Sequence, residues 1–376
     1  MVFSGVKPIR FGNTVKAYKL EAPTQGAFGI RQAIVSARGM NVLSEKAGVA
    51  EASNKQLLLT LERPEDMLDC IADSSTHHFS QGFAALLAPF ANRLPGRDLG
   101  NGFQEVTWGN QQCCVPVNFP QEGLAIHGLV YDSEYEDVTM DFDGVSALLK
   151  GTAYIPEGNW FSALKIDTST WLSAGARDRT VVVENIGNEC APVGIGEHPD
   201  FKIPKGQPRE EVVLRIPARS IVRSGANMLP DFEHGSPIVD VQKSELKSLF
   251  SRNVKDRNLG NLSLDHCFTG LGVPGNLGEI SFRIEYPRLR WGIQVSTILP
   301  DAVNAIQVYS PTDPSLPAFG SVAVEFQTNL ADPLNPEWGN WSPLSYIPNQ
   351  TMPSGMRILA PGEKMVWSVR HSIYRW

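Results

Sequence analysis

The residue types best suited to moving protons sit in two short segments. Gly196-Glu197-His198-Pro199-Asp200-Phe201 follows a strand signal at Val181-Val182-Val183-Glu184-Asn185, and Val322-Ala323-Val324-Glu325-Phe326-Gln327 puts a lone carboxylate at the end of an apolar run. An imidazole and a carboxylate at strand ends can act as matched proton donor and acceptor, because their ordinary pKa values bracket the acid side of neutrality. Three further segments carry polar groups into apolar surroundings: Ala91-Asn92-Arg93-Leu94, Ile126-His127-Gly128 and Leu264-Asp265-His266-Cys267-Phe268. Each residue also has a plain structural reading. His198 could be a loop histidine ahead of a strand-ending proline, and Glu325 a solvated strand carboxylate. Asp265 could open a turn, His127 could belong to one, and Arg93 could pair with a surface acid. His266 reads as a structural neighbour, and the His77-His78 doublet fits no catalytic or metal pattern.

Taken in order, the five segments resemble the motifs of the aldose 1-epimerase (galactose mutarotase) family. These are Ala-Asn-Arg, His-Gly, a His-Pro-Tyr-Phe piece, an Asp-His or Asp-x-Phe segment, and a Glu-Thr-Gln-like segment with Pro and Asn downstream. Ile306-Gln307-Val308-Tyr309 is similar to the Gln-Phe/Val-Tyr strand that precedes the last glutamate. The resemblance runs from Ala91 to Asn335, with Met365–Trp376 in register with the usual family ending. It implies a galactose mutarotase-like super-sandwich that opens and recloses a cyclic sugar hemiacetal without cofactor or metal. Glu325 would be the base acting on the C1 hydroxyl and His198 the acid at the ring oxygen. Asn92, Arg93, His127, Asp265 and Gln307 would hold sugar hydroxyls. Trp108, Trp160 and Trp171 could stack on a sugar face, with core packing the plainer role for at least two of them.

Three departures qualify the match: Leu129 follows His127-Gly128 where many members have a second glycine, Asp200 replaces the Tyr of His-Pro-Tyr-Phe, and the stretch from Ser220 to Gly260 has no clear counterpart. The first two could reshape the rim of the sugar site, leaving the proton-transfer pair intact. A hexose-6-phosphate 1-epimerase is the nearest alternative. Its His-Gly-Phe-Ala-Arg segment supplies a guanidinium for the phosphate, but Tyr131 stands where that arginine would be, and Arg97 or Arg177 would have to substitute. A glycosidase or lyase could use Asp265 and Glu325 as a carboxylate pair. A non-catalytic sugar-binding protein would have no need of a matched acid and base.

The elements that must position these groups are strands. Leu164, Ile166, Thr168, Thr170 and Leu172 share one face, and Ile280, Phe282, Ile284 and Tyr286, then Met365, Trp367 and Val369, repeat the alternation. Buried-strand runs fall at Gln56–Leu61, Thr180–Val183, Val212–Ile216, Ala305–Tyr309 and Val322–Phe326. Asp240–Val254 reads as the one helix, with Val241, Leu246, Leu249, Phe250 and Val254 on a stripe and Asp240 or Ser244 as N-cap. Thr328 to Ser354 reads as a long loop over one end of a sandwich. The prediction is an all-β protein, a large antiparallel β-sandwich with one or two short helices, occupying 1–376 as one domain.

Composition narrows the partners. The 376 residues carry 33 basic and 40 acidic side chains, net −7, with no Lys/Arg run, which argues against nucleic-acid or anionic-membrane partners. Gly 33 and Pro 27 favour turns and short strands over long helices. The five cysteines show no zinc spacing and no disulfide framework, so a reducing cytoplasm is expected. Vicinal Cys113-Cys114 reads as strand packing rather than redox chemistry, and Met1–Pro8 lacks the apolar core of a signal peptide. A small-molecule sugar is the expected partner; oligomeric state is not legible.

Overall fold

Along Leu164–Ser173 the buried side chains are Leu164, Ile166, Thr168, Thr170 and Leu172, the face the sequence predicts. Along Lys364–Arg375 they include Met365, Trp367 and Val369, again as predicted. Burying one face fixes the register of each strand, since a slip of one residue would turn the apolar set outward. The computed structural model describes residues 5–11, 14–23, 28–50, 53–57, 84–173, 175–225, 227–251, 253, 257–272, 279–297, 299, 303–316, 318–339 and 350–376. Cys70, the His77-His78 doublet, Val254 and most of the Gln56–Leu61 run lie outside the described residues.

Among these residues, three antiparallel sheets carry most of the strands. Gly5–Phe11, Thr14–Glu21, Gly29–Ser36, Val42–Ala50 and Ser53–Gln56 pair in chain order as a meander. One eight-stranded sheet runs Glu136–Phe142, Ala147–Ile155, Leu164–Ser173, Ala176–Asn185, Lys364–Arg375, Trp291–Thr297, Ile280–Tyr286 and Val213–Arg215. The other runs Ile238–Asp240, Ser220–Val222, Leu264–Thr269, Ala305–Ser310, Ser321–Gln327, Gly196–His198 and Ala85–Leu87, with Asp200–Lys202 also pairing to Ser321–Gln327.

The two large sheets face each other across one buried cluster. Val181, Val183, Phe282, Ile284, Ile293 and Trp367 come from the first sheet, and Phe201, Phe268, Ile306, Val308, Val324 and Phe326 from the second. Each aliphatic or phenyl side chain so buried contributes about 1.5–3 kcal/mol relative to exposure. Because Val324 and Phe326 point into this core, Glu325 between them must point to the sheet's other face. The same parity sends Gln307 away from Ile306 and Val308. The core thereby decides which polar residues share a surface.

The predicted helix takes another form. Val241, Leu246 and Leu249 are buried as the stripe requires, but the chain makes two separate 3₁₀ turns, Val241–Lys243 and Lys247–Phe250. Asp240 caps the first by accepting from the Gln242 N–H at 2.8 Å. Ser244 breaks the run: its hydroxyl donates to the Val241 carbonyl and accepts from the Leu246 N–H, local bonds that compete with an α-helical ladder. No helix among the described residues is long and apolar enough to cross a membrane.

Candidate active site

Register assembles the site. Gly196 pairs with Gln327 and Asp200 with Ala323, so His198 lies directly across from Glu325. Glu325 in turn pairs with Gln307, and Gln307 with Cys267. Paired residues of an antiparallel sheet project to the same face. His198, Glu325, Gln307 and Cys267 therefore form one row across four strands. A second row, two residues along, contains Asp200, Ala323, Tyr309 and Asp265.

Two turns close over these rows. Asn92 and His127 both take left-handed backbone conformations, with φ of 63° each, and clamp each other. The His127 N–H donates to the Asn92 carbonyl at 3.0 Å, and the Asn92 N–H donates to His127 Nδ1 at 3.3 Å. Gly128 follows because its backbone packs on Ala88: a Cβ there would meet the Ala88 carbonyl oxygen at 2.2 Å. The base of the predicted Thr328–Ser354 loop holds the first turn. Asn329 accepts from the Ala91 N–H and donates to the Ala91 carbonyl, and the Asp332 N–H donates to the Arg93 carbonyl. Positions 340–349 of that loop lie outside the described residues.

The result is a cleft of about 330 Å³ lined by Asn92, Arg93, Phe119, Glu122, Ile126, His127, His198, Asp200, Asp265, Gln307, Tyr309, Leu316, Ala318 and Glu325. All seven residues singled out from the sequence meet there. Asp200, Tyr309 and Glu122 were not among them. Asp200 and Tyr309 sit two residues beyond His198 and Gln307, so alternation signals them; Glu122 comes from a loop and carries no such signal. Trp108 and Trp160 are core residues and Trp171 is an exposed strand residue, and none lines the cleft.

Polar contacts fix the walls. Asn92 Nδ2 donates to Gln307 Oε1 at 3.1 Å, and Gln307 Nε2 donates to Asp265 Oδ1 at 2.5 Å. Arg93 donates to Glu122 at 2.8 Å and to Asp265 at 3.4 Å. Burial works against the Arg93 charge, but Glu122 and Asp265 outweigh it and hold the guanidinium protonated. Asp265 is thus engaged on both oxygens, as suits a hydroxyl-binding group. Phe119, Leu316 and Ala318 supply an apolar wall.

On the floor, His198 Nε2 lies 3.2 Å from Glu325 Oε1. The two stand side by side. Glu325 Oε2 accepts from Gln327 Nε2 at 2.7 Å. Burial, then the Asp265 and Asp200 carboxylates, push Glu325 well above the usual carboxylate range, while burial pushes His198 down to about 4. Both shifts favour the uncharged forms, a protonated carboxyl beside a neutral imidazole. Asp200 Oδ2 is 3.5 Å from His198 Nδ1, and burial pushes Asp200 up to about 7. Cys267 shares the row, but burial raises its thiol so far that it stays protonated and is no nucleophile.

One atom from each of His127, His198 and Glu325 lies within 4.8 Å of the others, a spacing open to a cation. His127, however, accepts at Nδ1, which leaves its hydrogen on Nε2. A metal-ligating histidine has the opposite arrangement, donating outward and keeping a bare nitrogen for the ion. Burial, then His198 and Arg93, keep His127 neutral. It therefore serves as a hydrogen-bond donor.

Arg97 and Arg177, the alternatives for a phosphate, are elsewhere. Arg97 is exposed and paired with Glu105, and Arg177 is buried among Glu45, Glu197 and His371. Among the described residues lining the cleft, Arg93 is the one with a cationic side chain.

The chain has the galactose mutarotase-like fold. Similar solved structures include a galactose mutarotase-like protein from Clostridium acetobutylicum (TM-score 0.71, 16% identity, covering 99% of this chain and 98% of that one). A galactose 1-epimerase from Lactobacillus acidophilus is also similar (TM-score 0.64, 18% identity, covering 98% of each chain), as is an aldose epimerase homologue from C. elegans (TM-score 0.65, 14% identity, covering 96% and 99%). No family model and no curated protein matches the sequence.

Proposed function

We propose that the protein is an aldose 1-epimerase that interconverts the α and β anomers of a free sugar. One observation carries the reading: a buried imidazole and carboxyl group, 3.2 Å apart, on the floor of a polar cleft of monosaccharide size. The anomeric hydroxyl oxygen and the ring oxygen are bonded to the same carbon. An acid and a base that serve them must therefore stand next to each other. In the ring-opening step Glu325 takes the proton from the C1 hydroxyl, whose O–H electrons form the carbonyl. The C1–ring-oxygen bond breaks, and His198 delivers a proton to the departing oxygen. Rotation about C1–C2 presents the other carbonyl face, and the same transfers run backwards to close the ring. Because burial favours the uncharged forms of both groups, opening in this direction starts once a proton lies on His198 and Glu325 is ionised.

Asn92, Arg93, His127, Asp265 and Gln307 hold the remaining hydroxyls, each buried donor or acceptor replacing water lost on binding. The engaged charge of Arg93 favours a neutral sugar over a hexose 6-phosphate. Cys113, Cys114, Cys190 and Cys267 are free thiols, which fits a reducing cytoplasm. Glu325→Gln is expected to lower kcat by roughly 10²–10⁴ with little change in sugar affinity. Near-normal anomer exchange by NMR in that variant would overturn the assignment. EDTA is expected to leave wild-type turnover unchanged, and loss of activity restored by a divalent ion would show that the His127–His198–Glu325 cluster holds a metal.

A further inference from the structure

Asp265 has a second cavity on its other side. This hollow, about 540 Å³ against about 330 Å³ for the cleft, shares Asp265 as a common wall. Its origin is a divergence of strands. Ser220–Val222 pairs with Leu264–Thr269 only through Ser220 with Thr269 and Ile221 with Phe268, so the half of that strand carrying Asp265 and His266 opens onto a gap. The far side of the gap is built from the Ser220–Gly260 stretch, the part of the sequence with no clear counterpart in the family motifs.

The lining mixes apolar side chains (Ile221, Val222, Met228) with the hydroxyls of Ser224 and Ser263. Its charges compensate locally. Arg223 is paired with Asp231 at 3.0 Å and His266 with Glu245 at 3.5 Å, and Lys243 shares the lining with the carboxylates of Glu245 and Asp265. No excess of positive charge awaits a phosphate dianion. Apolar patches with scattered hydroxyls suit a neutral pyranose, which has C–H faces and a hydroxyl rim.

We propose that this hollow is a second sugar subsite, receiving the next residue of a reducing disaccharide or longer oligosaccharide whose reducing-end ring occupies the cleft. The proposal rests on the reading of the cleft as an anomerase. The test is anomer exchange by NMR on free hexoses, on lactose, maltose and cellobiose, and on hexose 6-phosphates, using the wild type and Ser263→Trp. Ser263 is exposed at the hollow's wall and outside the catalytic cleft, so an indole there fills the space without disturbing the core. At least one disaccharide is expected to exceed its own reducing-end monosaccharide in kcat/KM by roughly tenfold. Ser263→Trp should abolish that advantage and leave monosaccharide turnover unchanged; Ser224→Trp, on the opposite side, should do the same. Turnover of monosaccharides with no disaccharide advantage, or equal loss on both in the variants, would overturn the subsite alone. Preference for hexose 6-phosphates would overturn its neutral occupant. No turnover on any sugar would overturn the anomerase reading, and the subsite with it.

Discussion

At the scale of single residues, the cleft trades stability for chemistry. Glu325 has a folded pKa above its unfolded one, so the fold favours its protonated form. Its unfavourable contribution is absent below the ordinary carboxylate range and grows as pH rises toward the folded value. Glu325→Gln mimics the protonated group at no such cost. It should therefore raise the melting temperature at neutral pH while removing activity, and calorimetry showing a lower one would refute the burial argument. Asp200 allows a second prediction. As pH rises through about 7 it ionises, and a negative charge 3.5 Å from Nδ1 favours the proton on His198, the acid form. The kcat is expected to climb across that range in the wild type and to stay flat in Asp200→Asn. An identical climb in both would remove Asp200 from the positioning of that proton. Much of this was legible in the sequence: His198 and Glu325 stood out by type and placement, and strand alternation implies that Asp200 accompanies His198. Their side-by-side geometry was not legible, because it depends on a register fixed only when Gly196 meets Gln327 and Asp200 meets Ala323.

At the scale of elements, the strand bearing His198 is pinned from behind. Its neighbour Glu197 is bonded by Arg177 at 3.1 and 2.9 Å and by Arg179 at 2.9 Å. His371 lies 3.3 Å from Glu197 and 3.0 Å from Glu45, and Arg177 also donates to Glu45. This buried cluster ties Val42–Ala50, Ala176–Asn185, Gly196–His198 and Lys364–Arg375 together. Along Ala176–Asn185 the pleat puts Arg177 and Arg179 on the face of Val181 and Val183. What the sequence could not supply was the partners, which lie on three other strands. The same limit explains the misread helix: the apolar stripe of Asp240–Val254 was real, but the bonds of Ser244 decided its geometry. Removing one member of a buried ion cluster leaves the others uncompensated, so Glu197→Gln should cost about 3–5 kcal/mol in urea unfolding. Burial raises the Glu197 pKa, but Arg177, His371 and Arg179 outweigh it and hold the carboxyl well below its ordinary value. Its stabilisation is therefore complete above the ordinary range and lost as pH falls toward the folded value. Stability should fall less steeply on acidification in Glu197→Gln than in the wild type. Equal slopes would show that this carboxyl is not responsible.

At the scale of the whole molecule, the cleft draws on residues from Asn92 to Glu325, and in the sheet behind it Lys364–Arg375 bridges Ala176–Asn185 and Trp291–Thr297. The five-stranded sheet at the beginning of the chain joins the same arrangement in two ways. Leu20, Ile30 and Val35 enter the buried cluster that contains Phe282 and Trp367, and Glu45 enters the ion cluster behind His198. Neither contact is dispensable to its neighbours: exposing the apolar residues would uncover core, and withdrawing Glu45 would take the acceptor from the fully buried Nε–H of Arg177. From these couplings we propose one folding unit rather than a catalytic sandwich with an appendage. Far-UV circular dichroism, tryptophan fluorescence and anomerase activity should then be lost at the same urea concentration. Trp160 and Trp367 report from the interior, while activity reports from the cleft. A first transition that removes strand signal while fluorescence and activity persist would divide the chain into two units and make the early sheet an accessory.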